Sequence, residues 1–400
     1  MLTEKAETTN VTPADTAPIP AKATATPADT APTPVTPAPT TANTTAKRPR
    51  MEWIDAMRGF TMILVVAYHV CITTFAEDPK DSAYLTIFVL FRMPLFFFIS
   101  GFFSYSTKVE WTAPTLAKLV WKKLRMQMLP TVIFMLLFAV VIERHFWPTI
   151  TRFLESPTKG GYWFTYVLLL MFVIYYLFAY VESGFSAWLK ARRLGWLPIT
   201  LFWLLWLGAY ASWYMPSWFS YPKSEMLKLT SFGQVIQYFH FFLAGNIARR
   251  YWPEVQRLFD TRWFLPVLIG VATVCLCEFV KWHTLHFQWT NLPRTLCMYS
   301  LMTIVIIYFR QHADLFSKKT ALGRGLQYIG VRTLDVYLIH FIFLPRLHFV
   351  GPWLKTLKNN FAIDITLSFV GAMLVIAISL IVSSIIRTSP VLKFYIFGRK

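Results

Sequence analysis

The sequence is dominated by apolar runs that are long enough to cross a lipid bilayer. About 20 helical residues span the roughly 30 Å hydrocarbon core of a membrane. From Trp53 onward, ten such runs recur to the end of the 400-residue chain. They occupy residues 54–76, 84–104, 126–142, 162–181, 195–214, 231–248, 263–280, 293–309, 328–350 and 362–386. This pattern predicts an all-α fold class, namely a polytopic transmembrane helical bundle of about ten spans.

Composition places the chain in the same class. It is 56% hydrophobic and 15% charged, whereas a soluble domain is about 45–50% apolar and roughly 25% charged. The four cysteines, Cys71, Cys275, Cys277 and Cys297, all lie within apolar runs. Their spacing is typical of neither a metal site nor a disulfide framework. We interpret them as buried core thiols and predict no metal.

The first 46 residues differ from the rest. They are mostly Thr, Pro and Ala, and the heptapeptide TPADTAP occurs at 12–18 and again at 26–32. Such a segment cannot bury enough apolar surface to offset the entropy of ordering, so we predict a disordered cytoplasmic tail. It lacks the pattern of a cleaved signal peptide. The predicted domains are therefore this tail at 1–46, a transmembrane domain at 47–390 and a basic cytoplasmic tail at 391–400.

The positive charge follows membrane topology. If the N-terminus is cytoplasmic, the inner segments hold 23 Lys and Arg and the outer loops hold 11, while the first outer loop, EDPKD, is acidic. Cytoplasmic loops carry this excess of positive charge in membrane proteins. We predict ten spans with both termini in the cytoplasm. The net charge of +19 then reflects partnership with the bilayer and not with nucleic acid.

Two ionisable residues bracket an apolar stretch of the first run, RGFTMILVVAYH (58–69). An ionisable side chain within a span costs about 2.5–3.5 kcal/mol on insertion scales, so its presence indicates function. From Arg58 to His69 a helix advances about 16 Å and turns through about 1100°, which puts both side chains on one face. Asp55, three residues before Arg58, is the expected ion-pair partner.

Three further ionisable residues lie at a similar depth in other runs, namely Arg92, His240 and His340. Together with His69 they are expected to meet in one layer and to form a buried polar site. Structural roles are the alternative for each residue taken singly. Arg58 could extend to the inner headgroups, and a lone histidine can hydrogen-bond to a neighbouring helix.

This set of residues suits acyl transfer. A neutral imidazole is a plausible general base for a hydroxyl, because its ordinary pKa near 6.5 is close to working pH. Arg58 faces the compartment that contains acyl-coenzyme A, and a guanidinium suits phosphate or a thioester carbonyl. Arg92 could stabilise the oxyanion or bind a carboxylate of the donor.

Four motifs together resemble the acyltransferase-3 family of bacterial integral-membrane acyltransferases. They are IDAMRGFTMILVVAYH (54–69), FRMPLFFFISGFF (91–103), FHFFLAGN (239–246) and LDVYLIHFIFLP (334–345). The resemblance implies ten core spans in the bacterial inner membrane. It also implies transfer of acyl groups, commonly acetyl from acetyl-coenzyme A, to hydroxyls of extracytoplasmic carbohydrates. In that family the residues that match Arg58 and His69 are required for activity.

The finer pattern resembles one branch of the family and departs from the family at two points. FRM before the FFFISG run is similar to the branch that includes glucan-biosynthesis protein C, which is associated with succinylation of periplasmic glucans. A succinyl donor would give Arg92 a carboxylate to bind. Lys122 and Arg125 keep the spacing of two arginines that the family pattern implies for donor phosphates. Gly161 stands where a histidine often precedes the Trp-Phe pair.

The sequence therefore predicts a membrane O-acyltransferase that uses acetyl- or succinyl-coenzyme A, with His69 as general base and Arg58 in donor binding. Lys122 and Arg125 are expected to assist donor binding, and Asp55, His240 and His340 to support the site. The alternative is a transporter or glycolipid flippase whose buried charges line a substrate path. No internal duplication of the kind that many transporters show is visible. The acyl group, the acceptor, the oligomeric state and the choice between direct transfer and an acyl-enzyme remain open.

Overall fold

A computed structural model describes residues 50–78, 82–193, 202–203, 205–207, 229–281, 291–357 and 361–398. This part of the chain is helical and confirms the predicted all-α class. The predicted tail at 1–46 and most of the predicted span at 195–214 lie outside the described residues.

Fifteen α-helices make up the described residues. In chain order they are α1 (Glu52–His69), α2 (Ala83–Phe102), α3 (Ala113–Lys123), α4 (Leu129–Phe138), α5 (Phe146–Glu155), α6 (Trp163–Ala191), α7 (Phe232–Arg250), α8 (Trp252–Phe259), α9 (Phe264–Lys281), α10 (Asn291–Gln311), α11 (Ala321–Val331), α12 (Thr333–Ile339), α13 (Val350–Thr356), α14 (Phe361–Thr388) and α15 (Pro390–Phe397). Turns of π-helix follow α1, α3 and α4 at Val70–Thr74, Leu124–Met128 and Ala139–Glu143. Turns of 3₁₀-helix lie at Lys159–Gly161 and His340–Phe343.

Several of these helices are able to cross a membrane. By length and composition, four helical segments of the described chain qualify: Glu52–Thr74, Ala113–Glu143, Trp163–Ala191 and Phe361–Thr388. A fifth is added if Trp252–Phe259 and Phe264–Cys277, which are bent by 78°, form one broken span. The chain is thus a multi-pass membrane protein, and the predicted total of ten spans remains a prediction.

Two of the predicted runs differ from the helices that form. The run at 328–350 is divided at Arg332, where the backbone leaves helical geometry between α11 and α12, and its helix ends at Phe343. The third helical segment begins at Ala113, well before the run at 126–142, because Thr112 caps it by accepting a hydrogen bond from the Thr115 amide. The start of this helix cannot be predicted from apolar runs, because a segment with charged residues forms a helix as readily as an apolar segment does.

Helix α1 lies in the core and contacts α11 through its backbone. A Cβ atom built on Gly59 would lie 2.0 Å from the carbonyl oxygen of Leu326. In the same way, a Cβ on Gly330 would lie 1.8 Å from the carbonyl oxygen of Asp55. No side chain fits at either position, so the glycine after Arg58 serves to bring the two helices together. Small residues allow this close approach between membrane helices.

Helices α2 and α7 make a second contact of this type. A Cβ on Gly101 would lie 1.8 Å from the carbonyl oxygen of Phe242, and one on Gly245 would lie 2.0 Å from that of Phe98. Gly101 belongs to the motif FFFISGFF and Gly245 to FHFFLAGN. Both motifs therefore encode packing of α2 on α7, and α2 carries Arg92.

Buried ion pairs join helices elsewhere. Arg250 of α7 donates to both carboxylate oxygens of Glu182 on α6, at 2.7 and 2.9 Å. Arg387 of α14 donates to Asp335 of α12 through Nε at 2.8 Å, and Ser383 donates to the same oxygen at 2.7 Å. A buried charge is tolerated where it is paired and hydrogen-bonded in this way.

Substitution of Gly101 tests the contact between α2 and α7. The change Gly101→Ala places a methyl group against the backbone of Phe242, so the helices must separate, at a cost of about 1–3 kcal/mol. Thermal unfolding of the purified protein in detergent should show a lower midpoint than that of the wild type. Gly184→Ala is the matched control, because a Cβ there meets nothing within 4 Å. Equal midpoints for the two variants would contradict the backbone contact.

Candidate active site

His69 lies where α1 changes into a turn of π-helix, Val70–Thr74. Such wide turns within α-helices occur often at functional sites. Among the described residues, the aromatic rings in contact with His69 are those of Tyr68, His340 and Phe341, with centroid distances of 5.1, 5.2 and 4.7 Å. The predicted meeting of His69 with His340 is therefore present.

His340 is fully buried and its hydrogen bonds define its tautomer. Its Nδ1 lies 3.1 Å from the carbonyl oxygen of Val336. A carbonyl can only accept, so Nδ1 carries the proton and Nε2 of the neutral ring is an acceptor. That Nε2 is buried and has no hydrogen-bond partner among the residues described. The site thus contains an unused acceptor on a ring that contacts His69.

A loop before α6 supports the same region. The Tyr337 hydroxyl donates to the carbonyl oxygen of Gly161 at 2.5 Å, and the Phe164 amide donates to the Tyr337 oxygen at 3.3 Å. Gly161 has φ of +97°, and a Cβ there would lie 2.4 Å from the ring of Phe341. The ring of Phe341 thus fills the space that a side chain at 161 would need. This packing explains why glycine stands at this position, and it makes Gly161 a support for Phe341 against His69.

Arg92 is connected to His69 through Tyr68. Its guanidinium carbon lies 3.4 Å from the centroid of the Tyr68 ring, and the Tyr68 ring meets His69 edge to face. Arg92 is only 7% exposed, and its Nε has no hydrogen-bond partner in the described part of the chain. A desolvated cation over an aromatic face gains about 2 kcal/mol, which is less than a carboxylate would supply. The charge of Arg92 is therefore available to an anionic ligand.

His240 belongs to a different contact. It is fully buried on α7, and its Nδ1 lies 2.7 Å from the hydroxyl of Tyr299 on α10. Its ring packs on Phe241 and Tyr299. The structure thus brings His69, His340 and Arg92 together and places His240 in the packing of α7 against α10.

A pocket of about 440 Å³ lies beside the first turns of α1. Three cations line it, namely Arg58, Lys122 and Lys123. The polar side chains in its wall are Ser100, Gln127, Thr165, Tyr176, Thr333 and Tyr337, and the rest of the wall is mostly apolar. Its positive charge and apolar wall suit a ligand with anionic and hydrocarbon parts.

Arg58 is oriented from two sides. Its Nη1 lies 3.6 Å from Asp55, and its Nη2 donates to the hydroxyl of Thr333 at 3.4 Å. The predicted ion pair with Asp55 is thus present. Asp55 is 4% exposed and also accepts a hydrogen bond from Arg50 at 2.5 Å. Since the side chain of Arg58 remains 34% exposed, it can contact a ligand in the pocket.

The two predicted phosphate-binding residues of the basic motif are separated in the structure. Lys122 lines the pocket, whereas Arg125 lies over Phe394 of α15 with its guanidinium carbon 5.9 Å from the ring centroid. The π-helical turn begins at Leu124, between the two residues. Their side chains are therefore not oriented relative to each other as they would be on a continuous α-helix. Lys123 takes the place beside Lys122, with its ammonium 3.3 Å from the centroid of Phe172.

One wall residue of the pocket lies next to the two imidazoles. Tyr337 is part of its wall, and the Tyr337 and His340 ring centroids are 6.0 Å apart. Met62 also lines the pocket, and His69 lies seven residues, or about 10 Å, farther along α1. Sequence reasoning did not single out Lys123, Tyr337 or Phe341. Lys123 could have been found from its position next to Lys122, and Tyr337 and Phe341 from their place in the motif LDVYLIHFIFLP.

The chain resembles known proteins along most of its length. Residues 51–388 match the model of the acyltransferase domain of the acyltransferase-3 family. Curated relatives include the glucans biosynthesis proteins C of Salmonella paratyphi B, Salmonella enteritidis and Salmonella agona. Each is 22% identical over 379 residues, which cover 88% of this chain and 95% of the relative.

No solved structure matches the chain significantly. The match to the family model nevertheless covers most of the 400 residues and includes all of the pocket and the imidazole pair. The protein therefore belongs to the acyltransferase-3 family and is a membrane acyltransferase.

Proposed function

We propose that this acyltransferase moves an acetyl or succinyl group from cytoplasmic acyl-coenzyme A to a hydroxyl of an extracytoplasmic carbohydrate. The observation that carries the proposal is a cationic pocket with one wall residue, Tyr337, next to a pair of imidazoles. Arg58 and Lys122 line the pocket, Tyr337 forms part of its wall, and Tyr337 contacts His340 beside His69.

The pocket suits the donor. Coenzyme A carries phosphates that guanidinium and ammonium groups bind through charge-assisted hydrogen bonds. Its pantetheine arm is narrow and partly apolar, in keeping with a wall that contains Met62 and Phe96. Arg58, Lys122 and Lys123 are the proposed donor-binding cations, while Arg125 lies against α15 and is assigned no contact with the donor.

His69 is the proposed general base, and His340 positions it. We propose that, during the reaction, a ring N–H of His69 turns to donate to the Nε2 of His340, which has no partner among the described residues. This bond would fix the His69 tautomer and leave its other nitrogen free to accept a proton. That nitrogen takes the proton of the acceptor hydroxyl as the oxygen attacks the thioester carbonyl. When the C–S bond breaks, the imidazolium returns the proton to the departing thiolate. This relation of an oriented base to a hydroxyl is general in acyl transfer.

Arg92 is proposed to act on the acyl group. Held over Tyr68, it can stabilise the oxyanion that forms on the thioester carbonyl. With a succinyl donor it can instead bind the distal carboxylate. Because the relatives are named for glucan biosynthesis, a glucan is a reasonable acceptor. The identity is only 22%, so the proposed class of acceptor is envelope saccharides in general.

The proposed topology places the two substrates on opposite sides. We assign the protein to the bacterial inner membrane, with ten spans, both termini in the cytoplasm and the segment 1–46 as a cytoplasmic tail. Arg58 then lies near the inner surface and His69 beyond the midplane. The donor reaches the pocket from the cytoplasm, and the acceptor reaches His69 from the outer side.

Removal of His69 tests the chemistry. Purified protein in lipid nanodiscs is given radiolabelled acetyl- or succinyl-coenzyme A together with envelope saccharides. His69→Ala should lower transfer about 10²- to 10⁴-fold, the usual contribution of a general base, while donor binding is retained. The control is His312→Ala, which changes an exposed histidine. If neither donor is consumed by the wild type, or if His69→Ala is fully active, the proposal is wrong and transport should be tested.

Removal of a single pocket charge tests donor binding. Lys122→Gln should raise the KM for acyl-coenzyme A about 10- to 100-fold with little change in kcat, because a hydrogen bond to a charged group contributes about 1.5–3 kcal/mol. Lys118→Gln is the matched control, since Lys118 is an exposed cation one turn earlier on α3. Equal KM values for the two variants would remove Lys122 from the donor site.

Substitution of Gly161 tests support of the base through Phe341. Gly161→Ala should lower kcat about 10- to 100-fold, because small displacements of catalytic groups have effects of this size. A second change, Phe341→Ala, makes room for the new methyl group and should restore part of the rate lost in Gly161→Ala. The two rates are measured in the same transfer assay at saturating donor. A Gly161→Ala enzyme with wild-type kcat would show that Phe341 does not position His69.

A further inference from the structure

Two arginines meet around one tyrosine outside the donor pocket. Helix α2, which carries Arg92, packs against α7 and α10. Arg92 and Arg294, which lies near the start of α10, both exert their positive charge on Tyr238 of α7. None of these three residues lines the pocket beside Arg58. We call Arg92, Arg294 and Tyr238 the arginine cluster, and the acyl-transfer proposal uses only Arg92 from it.

Neither arginine of the cluster is paired with an acid among the described residues. The Nε of each is buried and has no hydrogen-bond partner in that part of the chain. The acids Glu77 and Asp364 act on Cys71 together with Arg92, but neither of them forms an ion pair with Arg92. Asp364 instead accepts a hydrogen bond from the Ser82 hydroxyl at 3.0 Å. Both guanidinium groups therefore keep hydrogen-bonding capacity for a ligand.

The charge of Arg92 is costly to bury in this place. Arg92 is 7% exposed, and the face of the Tyr68 ring, 3.4 Å from its guanidinium carbon, is the contact that stabilises it. Arg294 adds a second positive charge at Tyr238, and like charges repel. A buried charge without compensation is strongly destabilising. The arrangement therefore favours an anion bound next to the two guanidinium groups.

Aromatic side chains pack against the cluster and leave part of it open. The Tyr238 ring stacks on the rings of Trp163 and Phe97, with centroid distances of 5.8 and 5.1 Å. Tyr238, Trp163 and Arg294 are each partly exposed, whereas Arg92 is buried. The cluster thus combines a buried cation with a second cation that a ligand can reach from solvent.

The cluster is close to the proposed base. The guanidinium carbon of Arg92 lies 3.4 Å from the Tyr68 ring centroid, and that centroid lies 5.1 Å from the centroid of His69. Arg92 is therefore at most about 8.5 Å from the His69 ring. Its charge also acts on His69 directly. A substrate that spans this distance can place an anionic group on Arg92 while its reacting hydroxyl or carbonyl lies at His69.

We propose that Arg92 and Arg294 together bind a carboxylate or phosphate group of a substrate, and that Arg294 is a specificity-determining residue. Guanidinium groups bind both anions through paired N–H···O hydrogen bonds. This inference rests on the proposed acyl transfer, in which two substrates can supply the anion. It is either the distal carboxylate of a dicarboxylic acyl group or an acidic group of the saccharide acceptor. An acetyl group on a neutral sugar leaves both charges unpaired.

Direct binding tests the anion site without turnover. The whole protein in nanodiscs is titrated calorimetrically with disodium succinate and, for comparison, with neutral succinamide. The wild type should bind succinate and not succinamide. Arg294→Gln should lower the succinate affinity about 10- to 100-fold, the usual contribution of a hydrogen bond to a charged group, and Arg294→Lys should keep part of it. Arg262→Gln is the matched control, because Arg262 is an exposed arginine that lies over the Trp263 ring.

Kinetics in the transfer assay identify the substrate that carries the anion. If it is the acyl group, Arg294→Gln should lower kcat/KM for succinyl-coenzyme A at least about tenfold and leave that for acetyl-coenzyme A unchanged. If it is the acceptor, Arg294→Gln should lower kcat/KM for methyl glucuronide with either donor and leave that for neutral methyl glucoside unchanged.

Three results would overturn the proposal. The first is a wild type that binds no succinate, or binding that is unchanged in both Arg294→Gln and Arg92→Gln. The second is succinate binding that is lost in Lys122→Gln, because the anion would then lie in the donor pocket. The third is an Arg294→Gln enzyme with wild-type preference for both donors and both acceptors. Succinate binding that depends on Arg294, in a protein that transfers no acyl group, would instead contradict the proposed function and support the anion site.

Discussion

The backbone contact between α1 and α11 fixes the position of everything else in the site. Gly59 and Gly330 each lie against a carbonyl oxygen of the opposite helix, so neither helix can slide or rotate without a clash. Gly59 directly follows Arg58, which therefore faces the pocket with Asp55 and Thr333 as partners. Helix α1 continues for 10 residues beyond Gly59 and ends at His69. One close contact thus sets both the donor pocket and the base.

The cations of the site are held in a way that leaves charge for a ligand. Arg92 lies over Tyr68 and Lys123 over Phe172, so each is stabilised by an aromatic face and not by a carboxylate. Two cations outside the site are paired with acids: Arg250 donates to Glu182, and Arg387 donates to Asp335. Ring stabilisation is weaker than pairing with an acid. Arg58 combines both features, because it pairs with Asp55 at 3.6 Å and its side chain nevertheless remains 34% exposed.

The arrangement also explains the departures from the family pattern. Gly161 stands in place of a histidine because the Phe341 ring, which contacts His69, occupies the space beside it. Arg125 lies against α15 because a π-helical turn begins between it and Lys122, and Lys123 lines the pocket in its place. In both cases the departure at one residue is accompanied by a neighbouring residue, Phe341 for Gly161 and Lys123 for Arg125, that takes up the space or the place concerned.

Features that depend on local periodicity are predictable from the amino-acid sequence. Apolar runs predicted the all-α membrane class, and helical spacing predicted the pair of Asp55 with Arg58. Which side chains meet across helices depends instead on how the helices pack. This packing brought His340 to His69, placed His240 with Tyr299 and joined Glu77 to Asp364. Packing between helices depends on contacts such as Gly59 on Leu326, and their partners are hundreds of residues apart, beyond the reach of any periodicity.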